Sequence, residues 1–161
     1  MDRMNWDEYY INMLDAVAER ATCNRGKSGC IITQNNRIIV NGYVGSPEGL
    51  EHCDDAGHLM IEIRHINGEV RKHCARTIHA EANAIGFAAK YGISLNGSTI
   101  YVNMTPCPYI CAPLIIAAGI NKVICRYKYH AGSYSEELFK KANVELIFMN
   151  DKTLEYNNQK S

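Results

Sequence analysis

The feature that most restricts the fold is the alternation of helical and strand-like segments in the second half of the chain. Helical periodicity is found at about residues 79–91, 108–118 and 135–142, and β-rich runs at 99–103, 122–126 and 144–148. Strands separated by helices of this length require crossover connections, which place parallel strands in one sheet and helices on its faces. The sequence therefore predicts an α/β sandwich with a partly parallel sheet.

The first half of the chain predicts an amphipathic helix followed by a β-hairpin. Apolar residues recur at steps of three and four over residues 6–21, and Asn5 is a suitable N-cap. Two short β-like runs, residues 29–33 and 37–41, flank an asparagine-rich turn at residues 34–36. Asparagine tolerates the positive φ of a tight turn, so we expect this hairpin to open the sheet.

The chain length indicates one domain. A chain of 161 residues is long enough for one domain and too short for two ordinary ones. We therefore expect a single domain over residues 1–161, with the polar residues 150–161 as a flexible tail. Residues 42–76 are rich in Gly, His, Cys and Asp and show little periodicity. Such a segment is typical of a functional or ligand-stabilised region.

The charge balance excludes functions that need a broad basic surface. The chain has 17 Lys and Arg against 17 Asp and Glu, so its formal net charge is zero. It also lacks a signal-peptide pattern and any apolar run of about 18 residues. We expect a cytoplasmic protein with neither nucleic acid nor membrane as a partner, although a small bound anion is compatible with this balance.

The chain contains seven cysteines, an odd number that a complete disulfide framework does not explain. Cys30 and Cys125 lie in apolar runs, so burial as small apolar residues is favoured for them. Cys107 and Cys111 stand at a predicted strand-to-helix junction, with Pro108 suited to the first helical turn. The positive end of a helix dipole favours thiolates. We interpret this pair as metal ligands, with a buried apolar pair as the alternative.

A third metal ligand is offered by the stretch TIHAEANAI, in which His79 opens a predicted helix. Two cysteines, one histidine and an open fourth position form a catalytic zinc arrangement, because the fourth position can hold water. Both motifs adjoin the same predicted sheet, at whose edge α/β folds bind ligands. Glu81 points in another direction on the helix, so we expect it to move protons rather than bind zinc. This set is typical of zinc-dependent nucleobase deaminases.

Six motifs resemble, in order and spacing, those of the deoxycytidylate deaminase family over nearly the whole chain. They are WDEYY near the start, GYVGSPEG at 42–49, HCDDAGH at 52–58, HCARTIHAEANAI at 73–85, YVNMTPCP at 101–108 and YKYH at 127–130. The resemblance implies the cytidine deaminase-like fold, a three-layer α/β/α sandwich with a mixed central sheet of about five strands. It implies hydrolysis of dCMP to dUMP and ammonia in pyrimidine deoxynucleotide synthesis. It further implies a homohexamer regulated by dCTP and dTTP, with Mg²⁺ as a companion of a nucleotide effector.

The same resemblance assigns roles to individual residues. It makes His79, Cys107 and Cys111 the ligands of the catalytic Zn²⁺ and Glu81 the proton shuttle. Tyr129 matches a family tyrosine near the substrate pocket.

The sequence departs from the family pattern at two places. PCPYIC has one more residue between its cysteines than the usual P-C-x-x-C, so the first turn of the following helix must widen or shift. Val44 stands where the family commonly has the asparagine of G-Y-N-G, which is expected to contact the sugar. Because a valine side chain cannot hydrogen-bond, we expect Asn41 or backbone groups to replace that contact.

The irregular segment and its neighbourhood contain further soft or borderline metal ligands. The side chains that form a candidate second, structural zinc site are Cys23, Cys53, His73 and Cys74, with His52 and His58 as further candidates. A closed zinc site would order such a segment. The spacing follows no zinc-finger pattern, so a second zinc and an unliganded loop both stay open.

An anion site is suggested by Arg25 and Lys27, which lie between the first helix and the hairpin. Arginine binds phosphate bidentately and lysine binds it as a point charge. Arg76, close to His79, competes for this role. The alternative for Arg25 and Lys27 is a pair of solvated loop charges.

Two other functions remain to be weighed against dCMP deamination. One is a deaminase for another base, nucleoside or polynucleotide, although a neutral chain lacks the basic surface for tracking a polynucleotide. The other is a zinc-stabilised regulatory module without catalysis. Glu81 argues against such a module, because a structural metal needs no acid beside an open coordination position.

Overall fold

The structure is a computed structural model that describes residues 2–65 and 67–155. Its helices are α1 (Trp6–Ala18), α2 (Cys53–Ala56), α3 (Ala80–Tyr91), α4 (Cys111–Ala117) and α5 (Ser133–Lys141). Its strands are β1 (Gly29–Gln34), β2 (Arg37–Tyr43), β3 (Met60–Arg64), β4 (Val70–Cys74), β5 (Thr99–Met104), β6 (Lys122–Tyr129), β7 (Glu145–Phe148) and β8 (Thr153–Leu154).

The main sheet has the strand order β2-β1-β5-β6-β7. Strand β1 pairs antiparallel with both β2 and β5, whereas β5, β6 and β7 run parallel. The tight turn between β1 and β2 uses Asn35 and Asn36 at φ 50° and 54°, which forces the antiparallel pairing. Helical crossovers connect the parallel strands. The predicted mixed sheet of about five strands is confirmed.

The two faces of the sheet pack against different helices. In β1, Cys30 and Ile32 belong to the core beneath α3, α4 and α5. Ile31 points to the other face and packs with Tyr10 and Leu14 of α1. This division follows from the two-residue period of a strand. It produces the predicted three-layer α/β/α sandwich.

Helix α3 lies unusually close to β2 at Gly42. A Cβ atom at this position would lie 2.3 Å from the carbonyl oxygen of Ala80 and 2.7 Å from the backbone nitrogen of Ala84. Only glycine permits this approach of helix to strand. The contact sets the first turn of α3 against the sheet, and that turn carries Glu81.

The predicted irregular segment, residues 42–76, contains more regular structure than expected. Strands β3 and β4 form a separate two-stranded antiparallel sheet, which we call the arm. The sequence does carry a signal for it, because Asn67-Gly68 is a typical hairpin turn and Gly68 has a φ of 85°. The prediction of an irregular segment was therefore wrong for residues 60–74.

The C-terminal residues are described only in part. Strand β8 pairs parallel with β6 inside the predicted tail, whereas residues 156–161 lie outside the described residues. That residues 1–161 form one domain stays a prediction. Within the part of the chain that is described, no helix combines the length and the apolar composition needed to cross a membrane.

Candidate active site

The three predicted catalytic zinc ligands lie together beyond the end of β5. His79 is the N-cap residue of α3, Cys111 is the first residue of α4, and Cys107 lies in the connection between β5 and α4. Their ligand atoms all lie within 4.8 Å of one another. The Nδ1 atom of His79 is 3.3 Å from the Sγ atom of Cys111.

This donor set fits zinc. Zinc–sulfur and zinc–nitrogen bonds of about 2.3 and 2.1 Å place the ligand atoms of a tetrahedral site roughly 3.5–3.8 Å apart. Soft thiolates combined with one imidazole favour Zn²⁺ over hard cations. Three protein ligands leave one position of the tetrahedron for water or substrate.

The extra residue of PCPYIC is accommodated before the helix. Residues 108–110 form a turn, so α4 begins at Cys111 and the prediction that Pro108 starts this helix was wrong. The backbone N–H of Cys111 points at the Sγ atom of Cys107, 3.4 Å away, and the carbonyl of Cys107 accepts from the N–H of Ala112 at 3.0 Å. The turn at residues 108–110 therefore keeps Cys111 close to Cys107 despite the extra residue between them.

The charges within this group differ from the sequence-based prediction. Hydrogen bonding by Cys111, followed by the effect of His79, lowers the pKa of Cys107 to about 3. The Cys107 thiolate in turn raises the pKa of His79 to about 9. Cys111 has a raised pKa because of Cys107 and its own burial. We expected the helix N-terminus to activate both cysteines, but the neighbouring ligands shift the pKa values of the two thiols in opposite directions.

Glu81 lies beside the three ligands and is almost completely buried, with 8% of its surface exposed. Burial raises the pKa of its carboxyl group, and the carboxylate accepts a hydrogen bond from the thiol of Cys111. Its oxygens are not part of the group of ligand atoms. A carboxyl with a raised pKa next to an open coordination position is suited to accepting and returning a proton.

Cys30 and Cys125 are fully buried in the core under α3. Burial raises the pKa of both thiols, which are therefore neutral. This agrees with their interpretation as small apolar residues. All seven cysteines lie in the described part of the chain, and none of them forms a disulfide.

His79, Cys107 and Glu81 line a cavity of about 950 Å³, and Cys111 is buried behind them. Of the five residues that the sequence suggested for substrate binding, Arg25 and Tyr129 line this cavity. Lys27 instead forms an ion pair with Glu19 at 3.1 Å.

Arg76 and Asn41 lie outside the cavity lining. The guanidinium of Arg76 donates to the carbonyl of Gly57 at 3.0 Å and to the carboxylate of Glu51 at 3.2 Å. Asn41 is exposed, whereas its neighbours Val40 and Gly42 in β2 are buried. Strand alternation therefore points the Asn41 side chain away from the site.

Val44 lines the cavity and packs against the core. Its backbone N–H donates to the carbonyl of Ser28, and its carbonyl accepts from the N–H of Thr22, both at 3.0 Å. The backbone groups of Val44 are thus already engaged. Neither Asn41 nor the backbone at Val44 is placed to replace the hydrogen bond that an asparagine side chain would make.

The arm forms a wall of the cavity that sequence analysis missed. Ile61 pairs with His73 and Ile63 with Arg71, and these four side chains face the cavity from one side of the arm. Alternating apolar and polar residues in MIEIR carry the signal for this strand. This signal was not recognised because the strands are short and the segments beside them are rich in cysteine and histidine.

A second group of ligand atoms lies at the base of the arm and consists of Cys23, Cys53, His58 and Cys74. We call these four residues the base cluster. Sγ of Cys23 is 3.6 Å from Nδ1 of His58, and Sγ of Cys53 is 3.5 Å from Sγ of Cys74. The donor set suits a closed tetrahedral zinc site.

The base cluster differs from the predicted set in one residue. His73 lies on the opposite face of β4 from Cys74, because consecutive strand residues alternate. Its Nε2 atom is 3.3 Å from Nε2 of His65. His58, which the sequence offered only as a further candidate, occupies the place predicted for His73.

The comparisons with known proteins concern the family to which the chain belongs. The family model for the cytidine and deoxycytidylate deaminase zinc-binding region matches residues 4–127. The chain is 41% identical to the ComE operon protein 2 of Bacillus subtilis, over 89% of this chain and 71% of that protein. It is 35% identical to the deoxycytidylate deaminase of Mycobacterium phage D29, over 77% of this chain and 96% of the phage protein.

A solved structure supports the fold. The dCMP deaminase of cyanophage S-TIM5, in complex with dCMP and dUMP, matches with a TM-score of 0.72 and 24% identity, over 92% of this chain and 100% of that one. At this identity the likeness establishes the shared fold alone. From the match of the family model over most of its length and the identity to these relatives, the chain belongs to the zinc-binding cytidine and deoxycytidylate deaminase family.

Proposed function

We propose that this protein hydrolyses dCMP to dUMP and ammonia. The observation that carries the proposal is the buried Glu81 carboxyl beside three suitable zinc ligands, two of which line the same cavity as Glu81. The names of relatives support the substrate, since the matching proteins of phage D29 and Schizosaccharomyces pombe are deoxycytidylate deaminases. The chain spans 44% of the latter protein.

His79, Cys107 and Cys111 would hold the zinc ion, which supplies Lewis-acid activation of water at neutral pH. Glu81 takes a proton from the attacking water and delivers it to N3 of the cytosine ring. The same carboxylate then takes the proton of the new C4 hydroxyl group and hands it to the exocyclic amine, so that a C4 carbonyl forms as the C4–N bond breaks and ammonia leaves. The raised pKa of Glu81 fits a group that must both accept and donate protons.

Deamination followed by ultraviolet absorbance tests this proposal. The panel comprises dCMP, CMP, deoxycytidine, dCTP and deoxyadenosine, assayed with the wild type, Glu81→Ala and the exposed control Glu137→Ala. We expect wild-type turnover of dCMP, a loss of about 10³-fold in Glu81→Ala at unchanged zinc content, and no loss in the control.

The panel also separates the alternative functions. Faster turnover of another compound in the panel would identify that compound, and not dCMP, as the preferred substrate. Zinc binding without turnover of any compound would favour a regulatory module.

Arg25 is the predicted phosphate contact that lines the cavity. We infer that it binds the 5′-phosphate of dCMP. Replacement by alanine should then lower kcat/KM for dCMP and leave deoxycytidine unaffected. An equal loss for both substrates would contradict this role.

The base cluster supports a second, structural zinc. Three thiols and an imidazole with all ligand atoms within 4.8 Å of one another can close a tetrahedron without an open position. We expect two zinc ions per chain in the wild type and one in Cys53→Ser. His58→Ala should weaken the second zinc and His73→Ala should not. One zinc or fewer in the wild type would reject the second site.

Assembly and regulation follow the family expectation. Phe87 and Tyr91 of α3 are 48% and 59% exposed, as expected of side chains that another subunit covers. We propose a homohexamer, to be measured by sedimentation as six times the 18.1 kDa of one chain. We also propose that dCTP and dTTP, with Mg²⁺, regulate activity, and titration of dCMP turnover with each nucleotide tests this.

We propose a cytoplasmic location for this protein. Its cysteines are free, as is usual for proteins in a reducing compartment, and cell fractionation would check the location.

A further inference from the structure

The arm places a cationic side chain, Arg71, in the cavity. Sequence analysis did not identify a role for this residue. Arg71 lies on β4, lines the cavity, and has only 11% of its side chain exposed. Its Nε and Nη2 atoms donate to Oε2 of Glu69 at 3.1 and 2.6 Å, and its Nη1 atom lies 3.5 Å from the hydroxyl of Tyr129. The guanidinium therefore connects the arm to the opposite wall formed by β6.

Arg71 and His73 lie two residues apart on the same face of β4. The Nε2 atom of His73 is 3.3 Å from Nε2 of His65, whose ring lies against Tyr109 in the turn between Cys107 and Cys111, whereas the guanidinium of Arg71 reaches Tyr129 of β6. Two residues of an extended strand span about 6.6 Å. In a nucleotide, the carbon that loses its amine and the 5′-phosphate are at opposite ends. A cytosine placed at the zinc ligands thus directs its phosphate toward the Arg71 end.

The charges of the cavity favour an anion at this end. Among the described residues that line it, the cations Arg25 and Arg71 match the carboxylates Glu69 and Glu81 in number, and Lys72 adds a third cation from the other face of the arm. Glu81 is buried at the metal end.

Glu69 is the carboxylate that an incoming anion must replace. Its side chain is 53% exposed, and an ion pair with so much water contact is weak. A phosphate dianion offers the guanidinium a stronger, bidentate partner than a single exposed carboxylate oxygen. Lys72 is less suited to bind the phosphate. It lies opposite Glu62 in the strand register, on the other face of the arm, and its side chain is exposed.

We propose that Arg71 exchanges Glu69 for the 5′-phosphate of the substrate and thereby selects nucleotides over nucleosides. The proposal rests on the proposed deamination of dCMP and adds a specificity-determining residue to it. Tyr129 orients the guanidinium through its hydroxyl group. Arg25 completes the phosphate site from the loop before β1.

Steady-state kinetics with dCMP and deoxycytidine test the proposal. The variants are Arg71→Gln, the conservative Arg71→Lys, and Arg64→Gln as a matched control on an exposed position of the same arm. Loss of a charge-assisted bidentate contact should raise KM for dCMP about 10- to 100-fold in Arg71→Gln, with kcat within about threefold. Arg71→Lys should lie between, and deoxycytidine kinetics should not change in any variant.

Glu69→Gln distinguishes recognition from a merely structural ion pair. If Arg71 releases Glu69 in order to bind the phosphate, removing the competing carboxylate charge should lower KM for dCMP a few-fold. If the pair only holds the arm in place, Glu69→Gln and Arg71→Gln would both raise KM for dCMP and deoxycytidine alike, and the proposal would be overturned.

A binding measurement keeps the inference separate from the proposed function. Calorimetry of dUMP and deoxyuridine with the zinc-loaded protein should show that Arg71→Gln loses affinity for dUMP only. An unchanged ratio of dUMP to deoxyuridine affinity overturns the role of Arg71. Absence of dCMP turnover by the wild type instead overturns the proposed function.

Discussion

The candidate zinc site and the arm border the same cavity, but they are packed to very different degrees. The ligand region stands on the main sheet, where side chains such as Ile32 and Val123 are completely buried. The arm is a two-stranded sheet whose apolar residues Ile61, Ile63 and Val70 are 36–49% exposed. A two-stranded sheet with so little burial is not stable alone.

The arm must therefore be held at its ends. The base cluster gathers Cys74 with three ligands from outside the arm. Across the cavity, Arg71 reaches the hydroxyl of Tyr129, and the ring of His65 lies edge-on against Tyr109 at a centroid distance of 5.1 Å. The residues proposed for the chemistry are therefore supported by the most buried part of the molecule, whereas those proposed for substrate recognition lie on a weakly packed part. Four predictions test this division.

The largest effect is expected from removing a ligand in the core region. Cys107→Ala should abolish zinc at the active site and reduce turnover on the order of 10³-fold or more, because the Lewis acid is lost. Circular dichroism should show a retained fold, since the sheet supports the region without the metal. Cys30→Ala, which empties another buried thiol position, serves as the control and should keep zinc and activity. Loss of folding in Cys107→Ala alone would mean that the metal, and not the sheet, holds this region.

Truncation of one isoleucine in each region should separate their packing. Ile32→Ala creates a cavity in the core and should lower the free energy of unfolding by about 2–5 kcal/mol. Ile63→Ala removes a side chain that is 36% exposed and should cost less than about 1 kcal/mol. Urea unfolding measures both. Equal losses would show that the arm is packed as tightly as the core.

The close contact between α3 and β2 offers a finer test within the core region. Gly42→Ala places a methyl group 2.3 Å from the carbonyl oxygen of Ala80, so α3 must shift, at a cost of about 1–3 kcal/mol. Turnover should fall as well, because Glu81 moves with the helix. Gly86→Ala on the exposed side of the same helix meets nothing within 4 Å and should stabilise the protein by about 0.5–1 kcal/mol. Thermal unfolding of both variants gives the comparison.

The smallest effect is expected from loosening the base of the arm. Cys53→Ser should raise KM for dCMP several-fold and leave the unfolding midpoint of the main sheet nearly unchanged, because local opening need not involve the core. Hydrogen exchange should accelerate in residues 60–74 and remain slow in β1 and β5. The neighbouring exposed Asp54→Ser is the control. Unchanged exchange in the arm would contradict its dependence on the base cluster.

Much of the core and the grouping of His79, Cys107 and Cys111 could be predicted because their signals are local. Helix and strand periodicity in the second half reflects burial on one face, and His79, Cys107 and Cys111 adjoin elements of one sheet. The position of Cys111 in the helix could not be predicted, since the turn at 108–110 depends on how α4 packs. The arm was missed although Asn67-Gly68 signals a hairpin, because its strands bury little and so show weak periodicity.

The order of strands and helices in the main sandwich, the three-layer class of the fold and the chemical types of the candidate metal ligands all follow from the amino-acid sequence. These depend on which side chains avoid water and which donor atoms suit zinc, and both properties belong to the residues. The packing of the folded chain, in contrast, determines that His58 rather than His73 joins the three cysteines, that Asn41 points away, and that Arg71 faces the cavity. These outcomes depend on which face of a strand each side chain occupies and on which distant segment packs there, and neither is contained in local spacing.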